Sequence, residues 1–73
     1  MSWHYQARKK TVDNEVIYEL VEAYPDLRDN GVIPHTLDAV TVCADSKDEL
    51  VKWLRIAADD VEKYDVIDGD NQG

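Results

Sequence analysis

The sequence contains no phenylalanine, one cysteine, one methionine, two prolines and three glycines among its 73 residues. Each scarcity excludes something. The lone Cys43 can form neither an internal disulfide nor a cysteine-based zinc site, whereas a stapled secreted mini-protein of this size carries several cysteines, so a reducing compartment is expected. No apolar run approaches the roughly 18 residues of a bilayer span, and residues 1–6 hold no basic stretch leading into an apolar one. The expectation is a cytoplasmic protein that does not bind membranes. Basic residues are also few: 8 Lys+Arg against 16 Asp+Glu leave a formal charge of -8. That charge repels nucleic-acid phosphates and anionic headgroups, so direct nucleic-acid binding is disfavoured and basic partners are favoured. The short length adds a last exclusion. A chain this small exposes much of its surface even when folded and has no room for a deep walled pocket, which argues against an autonomous enzyme.

What is present suffices for one small domain. An apolar fraction of 44% beside 33% charged residues is near the globular norm. From Trp3 the chain alternates, with Trp3, Tyr5 and Ala7 on one side and His4, Gln6 and Arg8 on the other, which reads as a strand. Asp13 and Asn14 tolerate positive φ, and the stretch from Glu15 to Tyr24 resumes a strand pattern, so a two-residue hairpin turn fits between them. Opposed residues then sum to 27. This register stacks Trp3, Tyr5, Ala7, Lys9 and Thr11 with Tyr24, Glu22, Leu20, Tyr18 and Val16 on one aromatic face, expected to be the buried one. The other face pairs Arg8 with Glu19 and Gln6 with Val21.

Pro25 ends regular pairing, Asp29-Asn30-Gly31 signals a second hairpin-type turn, and Pro34 interrupts again. A third strand is placed at residues 39–44, preceded by irregular pairing of residues 32–37. Asp45-Ser46-Lys47-Asp48-Glu49 opens a helix, with Ser46 able to cap Glu49 and acidic charge in the first turn. Leu50, Leu54, Ala57, Val61 and Tyr64 recur at spacings of three and four and define its sheet-facing side, flanked by Val51, Trp53, Ile56 and Ala58. The fold expected is α+β: a three-stranded antiparallel meander with one C-terminal helix packed on its aromatic face (βββα), a single domain over residues 1–65. Residues 66–73 are expected to form a disordered acidic tail.

Few residues are placed for chemistry. His4, His35 and Cys43 lack the spacing that lets two ligands share a metal, so no metal, no cofactor and no catalytic residue is expected. Cys43 falls in the expected third strand, as a small core residue. Glu22, set among Tyr5, Tyr18 and Tyr24, is expected to bond a tyrosine hydroxyl or water. Arg8-Lys9-Lys10 is a basic cluster, but Asp13, Glu15 and Glu19 on the same hairpin turn it into a salt-bridged face.

Residues 3–5, 18–24, 40–42 and 45–50 together resemble a set of small bacterial and phage proteins with a W-x-Y start, a second strand running from Tyr to Tyr, and a helix opened by D-S-x-x-E-L. The resemblance spans most of the chain and implies no activity to carry over. By topology alone, the strands ending in a capped acidic helix are also similar to the HicB-type antitoxin domain, although this chain lacks an appended DNA-binding segment.

The function expected is therefore a noncatalytic binding or regulatory module that engages a basic protein surface. The alternatives are a phage-type inhibitor that imitates nucleic-acid charge, or a HicB-like antitoxin domain. From Asp38 onward ten acids face four bases, against six and four before it. The partner-binding residues expected are Asp59, Asp60, Glu62 and Asp65, on the outer face of the helix. Lys47, Lys52, Arg55 and Lys63 interrupt this helix and place the mimic second. Because Ile17, Val21 and Ala23 would have little to bury them, a homodimer through the second sheet face or an exposed edge is also expected.

Overall fold

A two-residue turn sets the register of the molecule. In the computed structural model, which describes residues 2–70, Asp13 and Asn14 both take positive φ, 51° and 66°. Two consecutive left-handed residues make the hairpin turn whose twist matches that of its strands. It joins β1 (His4–Val12) to β2 (Glu15–Ala23) in an antiparallel ladder running from His4 opposite Ala23 to Val12 opposite Glu15. The 27-sum register expected from the sequence is the one observed.

After β2 the chain makes a short 3-10 turn, Pro25–Leu27, and a tight reversal at Asn30 and Gly31, again at positive φ. It then returns along the outer edge of β2. The amide of Tyr24 donates to the Pro34 carbonyl at 2.8 Å, the amide of Thr36 to Glu22 at 3.0 Å, and the amide of Val40 to Leu20 at 2.8 Å. Three extended segments thus precede the helix, but the third is reduced to a bridge between Ala23 and His35 and these separate bonds. Residues 39–44 are not a strand, and Cys43 is exposed rather than a core residue. The physical reason is a slip in spacing: two residues part Glu22 from Leu20, while four part Thr36 from Val40, so no ladder can continue.

The helix, α1 (Lys47–Lys63), begins where its cap predicts, with the Ser46 hydroxyl accepting the Glu49 amide at 3.1 Å. It packs chiefly against β1. Ala57 is its buried centre, and Val61 borders a hollow with Ala7, Leu20 and Tyr18 on the aromatic face. The chain then rounds the outer edge of β1 to the opposite face. There Ile67–Asp68 forms β3, parallel to β1, with Ile67 beside Arg8. The sheet order is β2-β1-β3.

The α+β class and the three-stranded sheet with one helix stand, but the sheet is mixed rather than an antiparallel meander. Ile67 and Asp68 are part of it and Gly69 and Asp70 bond to β1, so these residues are not a disordered tail; residues 71–73 lie outside the described residues. Gly69 explains how β3 fits. Its amide donates to the Lys9 carbonyl at 2.8 Å, and a Cβ there would stand 2.8 Å from that same oxygen. Asp70 then accepts both the Thr11 amide and the Thr11 hydroxyl.

The core lies mainly on the face opposite the aromatic one. Val21 and Ala23 are fully buried under Ile67 and Ile33, so the second face does not await a dimer partner at those two positions. Beside them Arg8, 4% exposed, donates to the Glu19 carboxylate and to the carbonyls of Thr36 and Leu37. A buried guanidinium needs all these acceptors, and by binding them it ties the returning segment to the sheet. The Arg8-Lys9-Lys10 cluster is therefore no surface patch. Among the described residues no helix is long and apolar enough to cross a membrane.

Candidate functional site

The four acids expected to form one outer surface are separated by the structure. Asp59 and Glu62 are exposed on the outer side of α1. Asp60 points the other way, accepting the outward amide of Tyr5 at 3.1 Å, so it fastens the helix to the edge of β1. Asp65 lies past the helix, exposed, with its backbone carbonyl bonded by the Gln6 side chain at 2.6 Å. The remaining pair shares its face with Lys52, Arg55 and Lys63, all exposed, so three bases against two acids leave that face without net negative charge. Spacing of 100° per residue separates Asp60 from Asp59 and Glu62. Reading the four as one cluster overlooked that rotation.

Acidic and apolar groups meet instead at the start of α1. Asp45, Glu49, Trp53, Cys43 and Ala44 line a shallow cleft of about 300 Å3. Glu49 and Trp53 lie one turn apart on one flank of the helix, and Ile56 continues that flank; all three are exposed. The i, i+4 spacing of Glu49 and Trp53, with Asp45 just before the cap, was the available signal. It was obscured because Trp53 fits the edge of the buried stripe equally well.

A second cleft, of about 450 Å3, opens where the start of β1 meets the end of α1, with Trp3, His4, Gln6, Arg28 and Tyr64 among its walls. His4 and Gln6 there are engaged in holding the fold. His4 stacks on Tyr64 with ring centroids 3.5 Å apart and donates from Nε2 to Gln6 Oε1 at 2.9 Å. Arg8 also donates toward His35 Nδ1 at 3.1 Å. Among the described residues no three His, Cys, Asp or Glu side chains converge as metal ligands.

The perturbed groups follow the same structural logic. Glu22 accepts the Tyr24 hydroxyl at 2.8 Å, and this bond, with burial and the carboxylate charge behind it, raises the Tyr24 pKa. Burial, and then the charges of Glu22 and Asp60, raise that of Tyr5. Asp26 is lowered by the amide and hydroxyl of Ser2, and Asp70 by those of Thr11. Each of these four groups is perturbed by contacts that pin strand ends or turns. No family model, curated protein or solved structure matches the chain.

Proposed function

We propose that the protein is a noncatalytic acidic binding module of the cytoplasm that engages a basic protein surface through the flank of α1 around Asp45, Glu49, Trp53 and Ile56. The observation that carries this reading is the company Trp53 keeps: an exposed indole beside two exposed carboxylates at a helix N-terminal turn. An indole face and nearby carboxylates suit a Lys or Arg side chain, through cation–π attraction and ion pairing together. The apolar neighbours supply the desolvated centre that such contacts need. Asp59 and Glu62, balanced by Lys52, Arg55 and Lys63 on their face, are left outside this surface. The bases interleaved with them favour a protein partner over the imitation of a phosphate backbone.

The test uses an Arg/Lys-rich amphipathic peptide as probe, with amide chemical shifts as readout. The largest shifts are expected at residues 43–56, with affinity falling as salt rises. Trp53→Ala with Glu49→Lys should weaken binding at least about tenfold, a change of ~1.4 kcal/mol. Shifts centred elsewhere, or unchanged affinity in that variant, would reject the site.

A further inference from the structure

The distal half of the hairpin is built as one half of a larger sheet. Even-numbered residues of β2 turn their backbone groups away from β1, as the outward bonds of Leu20, Glu22 and Tyr24 establish. The returning segment takes the Leu20 carbonyl, both backbone groups of Glu22 and the Tyr24 amide. The outward groups of Val16 and Tyr18 have no hydrogen-bond partner among the described residues. Their side chains are 56% and 66% exposed, on the half of the aromatic face that α1 leaves bare. An open edge beside exposed apolar side chains is a template for another strand.

We propose that the occupant is a second copy of this chain, paired antiparallel through β2 about a two-fold axis at Ile17. In that register Val16 of each copy faces Tyr18 of the other, and the unpaired amides and carbonyls of both residues form four hydrogen bonds. Moving the axis by one residue, to Tyr18, would bring Leu20, whose carbonyl is already taken by Val40, into the pairing. Moving it to Val16 would bring in Asn14, held in the turn. The side chains agree with the axis at Ile17. Val16 and Tyr18 form two aromatic–aliphatic cross-strand pairs on one face, and the two Ile17 side chains meet on the other. Glu15 faces Glu19 of the second copy, but Glu19 is already engaged by Arg8, so it meets an ion pair and not a bare charge.

The result is a continuous six-stranded sheet, β3-β1-β2 followed by its two-fold copy.

Sedimentation equilibrium of the full chain, with Ile17→Lys and Val16→Pro as variants, tests this. The Val16 amide faces outward, so proline there removes an intermolecular bond and none to β1. Lysine at 17 sets two charges together on the axis. The wild type should be dimeric at ~100 μM, more so as salt screens the repulsion between two chains of -8 charge. Both variants should weaken association at least tenfold with unchanged circular dichroism. A mixed sample of ¹³C-labelled and unlabelled chains should give intermolecular contacts between Ile17 methyls. A monomeric wild type, a dimer undiminished in Val16→Pro, or the absence of those methyl contacts would each overturn the proposal.

Discussion

The two halves of the β1–β2 hairpin share one turn, one register and nearly the same alternation, yet they differ completely in burial. Near its open end Tyr5, Gln6, Arg8, Val21 and Ala23 are buried; near the turn, residues 10–18 are exposed throughout. Strand pattern alone does not decide which residues become core. The proximal half is crossed on one face by α1 and on the other by Ile33 and Ile67, while nothing comparable reaches the distal half. The overall dimensions record the difference. The radius of gyration is 13.0 Å, against about 11 Å for a compact chain of this length.

The most severe way to break the proximal half is Arg8→Ala. It removes the partner of the partly buried Glu19 and the donors to Thr36 and Leu37, and should cost about 3 kcal/mol or more in urea unfolding. Next comes a matched pair. Val21→Ala deletes fully buried methyls and should cost on the order of 2 kcal/mol, whereas Val16→Ala should stay within about 0.5 kcal/mol. Equal effects would mean that the two halves are not energetically distinct.

Gly69→Ala is milder, on the order of 1–2 kcal/mol, because the methyl must displace the Lys9 carbonyl and the Arg8 stem. It should raise amide exchange at Lys9 and Gly69 while leaving residues 50–60 protected. The smallest effect is a pH response at Thr11. The folded Asp70 pKa lies below its ordinary carboxylate value, so the unfolded chain binds the extra proton. The stabilisation is complete above the ordinary value and disappears as pH falls through the folded one. The protection of the Thr11 amide, relative to its intrinsic exchange rate at each pH, should therefore fall below about pH 4, and Asp70→Asn should abolish that dependence.

Legibility in the sequence followed local chemistry. Asp13-Asn14 specifies its turn and with it every cross-strand pair, and Ser46 specifies the helix start, because each acts within a few residues. The two-residue β3 left no trace, since Val66 and Ile67 are only two apolar side chains between acids and the burial of Ile67 depends on partners more than forty positions away. The face assignment held only in part, for a related reason. The helix does cover the aromatic face and Tyr5 is buried there, but Trp3 and Tyr18 stay exposed, and the small Val21 and Ala23 form a core on the other face once Ile33 and Ile67 arrive. The candidate site was least visible, because a helical repeat does not reveal which flank of a wide apolar stripe is left uncovered.

Gly69 and Asp70 close the outer edge of β1, and this has a bearing on the order in which the molecule can form. The hairpin and the helix are local structures that microseconds suffice to assemble. The lid over Val21 and Ala23 is not, because Ile67 must find Arg8 across 59 positions of chain, and such closure sets the folding time. A nascent chain on the ribosome would display a formed hairpin with Val21 and Ala23 uncovered by Ile67 until residues 67–70 have emerged, so this side of the interior closes after the hairpin and the helix.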